Sequence, residues 1–315
     1  MDTENNNLYW PRVQVIMSTY NGEEFLREQV KSIFEQEECI ISLMVRDDGS
    51  TDRTLTILED LAKCYPIEII KGENLKPAKS FLSAITMTNK ENEFFALSDQ
   101  DDVWKKDKIK SAIKKIGFKG EDDTPILYCS NLTVVNETLE QINSLLLPNH
   151  FSLKYEDLLI HSSNLFGCTM VFNRSMRNIV AKQLPKNPIM HDLWIGLLAA
   201  LFGYIVYDSK SYILYRQHGN NQVGAQENIS EKWKNRMGYF RGNHKGVIAL
   251  QAIDILEYLK NMHCYDSKIW DYTKIVAEYN KSISNKIRYL IKVSKKGMTK
   301  KQLLFHVMLA MKGCL

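Results

Sequence analysis

The chain has 315 residues, of which 44% are hydrophobic and 25% are charged, and its formal net charge is +4. Such a chain can bury a substantial core, and its weak positive charge does not indicate a nucleic-acid partner. The six cysteines are scattered without a C-x-x-C pair, which argues against a disulfide framework and favours a reducing, cytoplasmic compartment. Residues 1–11 lack the apolar region of a signal peptide, and the longest uncharged run, residues 193–207, is too short for a comfortable membrane span.

The first third of the chain alternates short apolar segments with longer segments of helical periodicity. Strands are predicted over residues 13–18, 40–45, 67–70 and 94–97. The helices that follow them are predicted to begin near Glu23, at an N-cap on Ser50 or Thr51, at Pro77 and near Asp107. This alternation predicts an α/β fold with a parallel, doubly wound sheet and right-handed crossovers.

The rest of the chain is less regular. Further strands are predicted over residues 125–135, 166–172 and from 204 towards 215, and helices over 175–183 and from 191 onwards. From about Glu227 the pattern is helical to the end of the chain. The sequence therefore predicts an α/β domain over residues 1–225 and a helical region over residues 226–315.

Polar clusters follow three of the predicted strands. They are Thr19-Tyr20-Asn21, Asp47-Asp48 and Asp99-Gln100-Asp101-Asp102. The carboxyl ends of parallel strands meet at one edge of a sheet, so these side chains are expected to line one crevice. Three carboxylates within four residues repel one another, and a divalent cation with oxygen ligands would relieve that repulsion. A nucleotide fits such a crevice, and since no glycine-rich phosphate loop is present, its phosphates would be met by metal and side chains.

Each of these residues also has a simpler interpretation. Residues 99–102 could form a solvated turn that caps the next helix, and residues 47–50 could be a turn with an N-cap. The negative charge of Asp192 would suit a helix N-terminus, where it could act as a cap alone. His218, in an asparagine-rich loop, could be an ordinary surface histidine.

Five segments of the chain resemble family 2 glycosyltransferases, which have the GT-A fold. Residues 15–22 (VIMSTYNG), 46–52 (RDDGSTD) and 98–104 (SDQDDVW) are similar to the nucleotide-sugar core of that family, whereas 191–194 (HDLW) and 215–221 (YRQHGNN) resemble its bacterial rhamnosyltransferase branch. The segments occur in the order and spacing of the family over roughly residues 12–225. The resemblance implies a Rossmann-like, mostly parallel doubly wound sheet with a helical C-terminal extension.

The resemblance also implies a set of residues that bind the nucleotide sugar. They are Thr19, Tyr20, Asn21, Asp47, Asp48, Asn74, Asp99, Gln100 and Asp102. Tyr20 would lie beside the base, and Asp99 would contact the ribose. Either Asp47 or Asp48 would bind the pyrimidine, and both alternatives remain open. Family members often have glycine two residues after the asparagine that matches Asn74, whereas this chain has Lys76.

By the same resemblance, Asp101 would bind Mn²⁺ or Mg²⁺ and His218 would contact the metal or the diphosphate. Asp102 would support this site or face the donor sugar, and Asp192 would be the catalytic base. A metal stabilises the leaving diphosphate and a base removes the proton of the acceptor hydroxyl. With one base and no evident nucleophile, the expected reaction is a single displacement with inversion.

The implied function is transfer of L-rhamnose from dTDP-β-L-rhamnose to a hydroxyl group of a saccharide acceptor, for a bacterial capsule or cell-wall polysaccharide. Transfer of another hexose from a UDP- or dTDP-sugar is the nearest alternative. A nucleotide-sugar-binding protein without turnover would be expected to lack Asp101 and Asp192. A Mg²⁺-dependent nucleotidyltransferase would need a glycine-rich phosphate loop, which residues 13–22 do not contain.

The end of the chain is strongly basic. Residues 281–315 contain nine lysine and arginine residues and no aspartate or glutamate, and their apolar residues recur at helical spacing. Basic amphipathic helices bind anionic bilayers, so this segment predicts peripheral contact with the inner face of the cell membrane, where the acceptor could be linked to a polyprenyl diphosphate. The alternative is a pair of helices that pack on the catalytic domain with a solvated lysine face.

Overall fold

A computed structural model describes residues 9–117, 123–143, 152–161, 165–218, 246–294 and 300–313. The first four strands are β1 (Arg12–Thr19), β2 (Ile40–Asp47), β3 (Ile67–Lys71) and β4 (Phe94–Ser98). They are parallel and lie in the order β3-β2-β1-β4, which confirms the four strands predicted in this part of the chain. The middle residues of β1 and β4 are apolar and buried, as expected for strands that are covered on both faces.

The second half of the sheet is mixed. Its strands are β5 (Val103–Trp104), β6 (Ile126–Val135), β7 (Gln141–Asn143), β8 (Val171–Asn173) and β9 (Tyr204–Arg216). The full order is β3-β2-β1-β4-β8-β6-β9-β5, with β7 beside β6. β8 is antiparallel to both β4 and β6, whereas β6 and β9 are parallel. The sheet is thus doubly wound in its first half and joined through one short antiparallel strand to its second.

Helices cover the sheet. Those of the first half are α1 (Leu26–Phe34), α2 (Thr54–Leu61), α3 (Lys76–Met87) and α4 (Lys108–Gly117). The next three are α5 (Tyr155–His161), α6 (Arg174–Lys182) and α7 (His191–Phe202). The C-terminal helices are α8 (Val247–Asn261), α9 (Ser267–Ala277), α10 (Ile283–Ser294) and α11 (Lys300–Lys312). Across the described ranges, every helix is too short or too polar to cross a bilayer. The predicted domain boundary at residue 225 lies outside the described residues.

Two local predictions were wrong. The apolar run 166–172 is not one strand, because Gly167–Thr169 forms a 3-10 turn and only the following residues join the sheet. Neither Ser50 nor Thr51 caps α2, which begins at Thr54 and has Arg53 at its N-cap. The backbone N–H and the hydroxyl of Ser50 are instead captured by the carboxylate of Asp47. A side-chain acceptor at the strand end therefore delays the helix by one turn.

A hydrophobic cluster lies on each side of the sheet. On one side, α1 and α4 pack on the sheet with Val30, Ile33 and Ile109 in contact with the strands. On the other side, α3 and α5–α11 share one cluster, in which Trp194 of α7 and Tyr258 of α8 are among the largest buried side chains. The C-terminal helices therefore complete the core beneath the helix that begins with His191 and Asp192.

Candidate active site

The structure brings the three predicted strand-end clusters together. The hydroxyl of Thr19 donates to Asp47 Oδ1 at 3.0 Å, which joins the ends of β1 and β2. The backbone N–H of Tyr20 donates to Gln100 Oε1 at 2.9 Å, and Gln100 Nε2 donates back to the carbonyl of Tyr20 at 3.2 Å. Gln100 thus clamps the loop after β1 to the loop after β4. A Cβ atom at Gly22 would overlap the Gln100 amide, so a larger residue there would displace the Gln100 side chain.

The turn at residues 46–50, here called the nucleotide corner, is held by residues close in sequence. Asp47 is buried and accepts hydrogen bonds from the backbone N–H groups of Gly49 and Ser50 at 3.1 and 2.9 Å. Asp48 is also buried and forms an ion pair with Arg46. Buried carboxylates need a partner, and Arg46, two residues before Asp48 and near the end of β2, supplies one. Sequence reasoning gave Arg46 no role, although it lies inside the 46–52 segment.

The loop that carries Asn74 contacts the nucleotide corner. The backbone N–H of Leu75 donates to Asp48 Oδ2 at 3.0 Å, and Asn74 is exposed, with its Oδ1 accepting from the N–H of Lys76 at 3.1 Å. Lys76 has a φ of +66°, in the left-handed region that residues with a side chain rarely adopt. Lys76, at the position where the family often has glycine, therefore adopts the left-handed backbone conformation that glycine favours.

The acidic segment 99–102 is joined to the end of β9. Asp101 Oδ2 and His218 Nε2 lie 2.8 Å apart, 117 residues apart in sequence. Asp102 is fully buried, and its Oδ1 accepts the backbone N–H of Arg216 at 3.0 Å. The hydrogen bond that His218 donates to the Asp101 carboxylate raises the pKa of His218. The predicted metal ligands Asp101 and His218 therefore form a pair, whereas Asp102 ties the acidic segment to β9.

Arg216 is a second residue that sequence reasoning missed. Its guanidinium is almost completely buried, donates through Nε to the carbonyl of Asp101 at 2.8 Å and pairs with Glu28 of α1. It also contacts the carbonyl of Glu137 and lies over the ring of Phe25, 4.4 Å from the ring centroid. One side chain thus joins the acidic segment, α1 and the end of β6. Its place beside His218 in the 215–221 segment was the available signal.

A buried lysine lies beneath the acidic segment. Lys108 Nζ donates to the carbonyl of Cys168 at 2.7 Å and lies 3.2 Å from the ring centroid of Trp104. Burial lowers the pKa of Lys108 to about 7. Burial, reinforced by Asp101, raises the pKa of Asp99 to about 7. The available signal was periodicity, since Lys108 lies four residues before Ala112 on the buried face of α4.

The predicted base, Asp192, contacts the same 3-10 turn, residues 167–169. Asp192, in the first turn of α7, accepts the N–H of Leu193 at 2.6 Å and the N–H of Gly167. Burial raises its pKa to about 6. The turn 167–169 thus contacts Lys108 through one carbonyl and Asp192 through one N–H. The charge of Asp192 also raises the pKa of Asp99, so the base and the acidic segment are close enough to interact.

His191 is buried next to Asp192. Its ring stacks on Phe81 with centroids 4.2 Å apart, and within the described part of the chain neither ring nitrogen has a hydrogen-bond partner. Burial lowers the pKa of His191 to about 3, so the ring is neutral at ordinary pH. The N-cap position of α7 is Met190, not His191. His191 is therefore a packing residue here, and Asp192 carries the charge.

The sequence profile of the family described as Glycosyl transferase family 2 matches residues 14–179, more than half of the chain. The chain belongs to this family. Among curated relatives of this glycosyltransferase, the dTDP-rhamnosyl transferase RfbG of Shigella flexneri is 35% identical over 237 residues, which cover 71% of the chain and 79% of the relative. The putative teichuronic acid biosynthesis glycosyltransferase TuaG of Bacillus subtilis is 25% identical over 260 residues, which cover 81% and 93%.

Two solved structures resemble the glycosyltransferase in fold. The mannosyltransferase PcManGT from Pyrobaculum calidifontis, in complex with GDP-Man and Mn²⁺, has a TM-score of 0.53 at 15% identity and covers 96% of this chain and 86% of its own. S. aureus TarS 1-349 in complex with UDP-GlcNAc has a TM-score of 0.52 at 18% identity, with coverage of 86% and 91%. These likenesses confirm the predicted GT-A fold with C-terminal helices.

Proposed function

We propose that this family 2 glycosyltransferase moves L-rhamnose from dTDP-β-L-rhamnose to a hydroxyl group of a saccharide acceptor, with inversion at the sugar carbon, during synthesis of a bacterial surface polysaccharide. The observation that carries the proposal is that the acidic segment lies close to both His218 and Asp192, because Asp101 pairs with His218 and the charges of Asp101 and Asp192 both raise the pKa of Asp99. The likeness to RfbG supports rhamnose as the donor sugar, and the likeness to TuaG supports the polymer context.

The donor set of the acidic segment fits a divalent cation. Asp101 offers a carboxylate oxygen beside the His218 imidazole, and oxygen and nitrogen donors of this kind suit Mn²⁺, with Mg²⁺ as the oxygen-preferring alternative. When bound, the ion would supply Lewis-acid stabilisation of the leaving diphosphate. The PcManGT complex with GDP-Man and Mn²⁺ supports this part of the proposal. Asp102 would support the site from below through its bond to Arg216.

The remaining chemistry belongs to the chain itself. Asp192 would accept the proton of the acceptor hydroxyl as that oxygen attacks the sugar carbon. Its pKa of about 6 suits this role, because it leaves the carboxylate ionised at neutral pH while keeping its basicity above that of an ordinary aspartate. Since one base and no second nucleophile is assigned, the sugar would be transferred in one displacement. The turn 167–169 would hold the base at a fixed distance from the donor.

The donor would lie across the strand ends, within a catalytic domain of residues 1–225. The proposed contacts are Thr19, Tyr20, Asn21, Asp47, Asp48, Asn74, Asp99 and Gln100. Tyr20 is about half exposed, so its ring is available to a base. The amide of Gln100 already binds the backbone of Tyr20, so its part would be to shape the pocket wall.

A panel of nucleotides tests the donor. dTDP, UDP, GDP and their sugar conjugates, each with Mn²⁺, Mg²⁺ or EDTA, are compared by thermal unfolding, because a ligand that binds only the folded state raises its stability. The proposal expects the largest rise with dTDP-L-rhamnose and metal, followed by rhamnose transfer to a saccharide. A larger rise with a UDP-hexose, and transfer of that hexose, would establish the alternative donor, which the likeness to TarS bound to UDP-GlcNAc supports.

We also propose peripheral contact with the inner face of the cell membrane through residues 281–315. α10 buries Tyr289 and Val293 against the core but leaves Ile283, Ile287 and Ile291 between 53% and 75% exposed. Leu304, Met308 and Met311 of α11 are exposed as well. Exposed apolar side chains among basic residues, with no acidic residue after Glu278, complement an anionic bilayer.

Vesicle sedimentation tests this contact. The protein is expected to sediment with phosphatidylglycerol vesicles and much less with phosphatidylcholine vesicles, and the variant with Ile283, Ile287 and Ile291 changed to serine is expected to stay in solution. Changing the equally exposed but distant Ile40 to serine is the control. Equal sedimentation of all three proteins, or sedimentation of none, would contradict the membrane contact while leaving the transferase reaction standing.

A further inference from the structure

The base segment, residues 183–190, connects α6 to α7 and ends immediately before His191 and Asp192. It has no helix or strand of its own, and Pro185 and Pro188 lack a backbone N–H. The remaining N–H groups therefore need partners outside regular secondary structure if they are buried. The positions of these residues decide where α7 begins, and so where the carboxylate of Asp192 lies.

Two side chains of α8 supply partners for two of these N–H groups. The N–H of Asn187 donates to Asp254 Oδ2 at 2.7 Å, and the N–H of Ile189 donates to Gln251 Oε1 at 3.1 Å. These two residues flank Pro188, so α8 binds the segment on both sides of the residue that has no N–H. Asp254 also accepts from the Asn187 side chain and from the backbone of Lys186.

Both acceptors are buried, although each is polar. Gln251 is completely inaccessible and Asp254 is 3% exposed. Burial raises the pKa of Asp254, and the hydrogen bonds from Asn187 oppose that shift. Burying a carboxylate is unfavourable unless it is hydrogen-bonded, so this placement needs the bonds that it makes to the base segment.

α8 is itself fixed to the helices on both sides of the base segment. The hydroxyl of Tyr258 donates to the carbonyl of Ile179 in α6 at 2.6 Å. The ring of Tyr258 also packs edge-on against Trp194 of α7, with centroids 6.0 Å apart. α8 therefore binds the middle of the segment and also contacts the helices before and after it, although Asn187 and Asp254 are 67 residues apart in sequence.

We propose that Gln251 and Asp254 are positioning residues, which hold Asp192 at the distance from the donor that transfer requires. The inference rests on the proposed role of Asp192 as the base. Neither residue touches the acidic segment or the nucleotide corner, so their effect should be on turnover rather than on donor binding. A displacement of about 1 Å in a reacting group can cost roughly a hundredfold in rate.

The test uses the full-length protein and four variants. Asp254→Ala and Gln251→Leu remove one acceptor each, and the second keeps the side-chain volume. Asp254→Asn retains an oxygen that accepts the same N–H. Glu257→Ala is the matched control, because Glu257 lies on the same helix and pairs with Lys186 of the base segment, but in solvent, where such pairs contribute little.

For Asp254→Ala and Gln251→Leu we expect kcat to fall about tenfold to a hundredfold, with the KM for the donor within twofold of wild type. Hydrogen–deuterium exchange of peptides spanning residues 184–192 should become faster in the same variants. Asp254→Asn should restore kcat to within about threefold of wild type, and Glu257→Ala should match wild type. If Asp254→Ala does not fold, the comparison of kcat and KM with wild type is made on Gln251→Leu alone.

Wild-type kcat in both Asp254→Ala and Gln251→Leu would overturn the inference, as would an equal loss in Glu257→Ala. A loss confined to donor KM would also overturn it, because the residues would then act on binding. A wild-type protein that transfers no sugar refutes the proposed function instead. Hydrogen–deuterium exchange needs no turnover, so it tests the α8 contacts to the base segment even if the protein transfers no sugar.

Discussion

The nucleotide corner and the base segment reach their positions by different routes. In the nucleotide corner, the carboxylates of Asp47 and Asp48 are held by residues no more than three positions away, apart from the bonds from Thr19 and Leu75. The base segment is held by α8, from the far part of the chain. Binding and turnover are therefore expected to respond separately to mutation, with local changes at one site and distant changes at the other.

Substitution of the base should have the largest effect. Asp192→Asn removes the proposed proton acceptor but keeps an oxygen for the N–H of Leu193, so transfer is expected to fall by about 10² to 10⁴-fold. The affinity for the donor nucleotide should not change. Steady-state kinetics and calorimetric titration with dTDP measure the two quantities, and full activity in Asp192→Asn would remove this residue from the mechanism.

In the nucleotide corner, substitution is expected to weaken donor binding rather than turnover. Asp48→Asn keeps an oxygen for the N–H of Leu75 but removes a charge, and a charge-assisted hydrogen bond is worth about 1.5–3 kcal/mol. Donor KM should therefore rise roughly tenfold to a hundredfold, with kcat changed much less. Chemical unfolding of Asp48→Asn measures the stability lost with the ion pair to Arg46 and so separates that loss from weaker donor binding. A fall in kcat at unchanged KM would erase the distinction between the two sites.

The pH dependence of transfer should come from Asp192, the proposed base. Since the pKa of Asp192 is raised to about 6, kcat/KM for the acceptor at saturating donor should fall as the pH drops through about 6. His191, with a pKa of about 3, stays neutral over this range. The raised pKa of Asp192 favours the folded state at low pH, and this contribution to stability is lost as the pH rises through about 6. Activity and this stability contribution should therefore change in opposite directions.

The smallest effect, a change in stability, is expected for substitution of Lys76 next to the nucleotide corner. The left-handed backbone conformation of Lys76 costs roughly 1–2 kcal/mol in a residue with a side chain, and Lys76→Gly removes this cost. Part of the gain is offset because glycine loses more backbone entropy on folding. The net gain in the free energy of unfolding should be about 0.5–1 kcal/mol. Lys79→Gly, in the interior of the same helix, should instead destabilise by about 1 kcal/mol. Urea unfolding distinguishes the two, and a loss of stability in both would contradict the conformational argument.

The same contrast explains what could be predicted from the sequence. β1 to β4, their helices and the strand-end clusters were predictable, because hydrophobic periodicity and adjacent turn residues are local properties. The positions of Lys108, Arg216, Gln251 and Asp254 were not, because each acts across the fold on a residue far away in the chain. The run 166–172 shows the same limit, since an apolar composition does not distinguish a strand from a buried turn.

The amine of Lys108 bears on how the acidic segment is stabilised without a metal. Its pKa is lowered to about 7, so it is partly protonated at neutral pH, and its charge lowers the pKa of the neighbouring Asp99 against the effect of burial. In its protonated form this amine would offset part of the charge of the buried carboxylates whether or not the proposed divalent ion is bound. If that ion is required for transfer, a chelator should abolish transfer yet leave the melting temperature nearly unchanged.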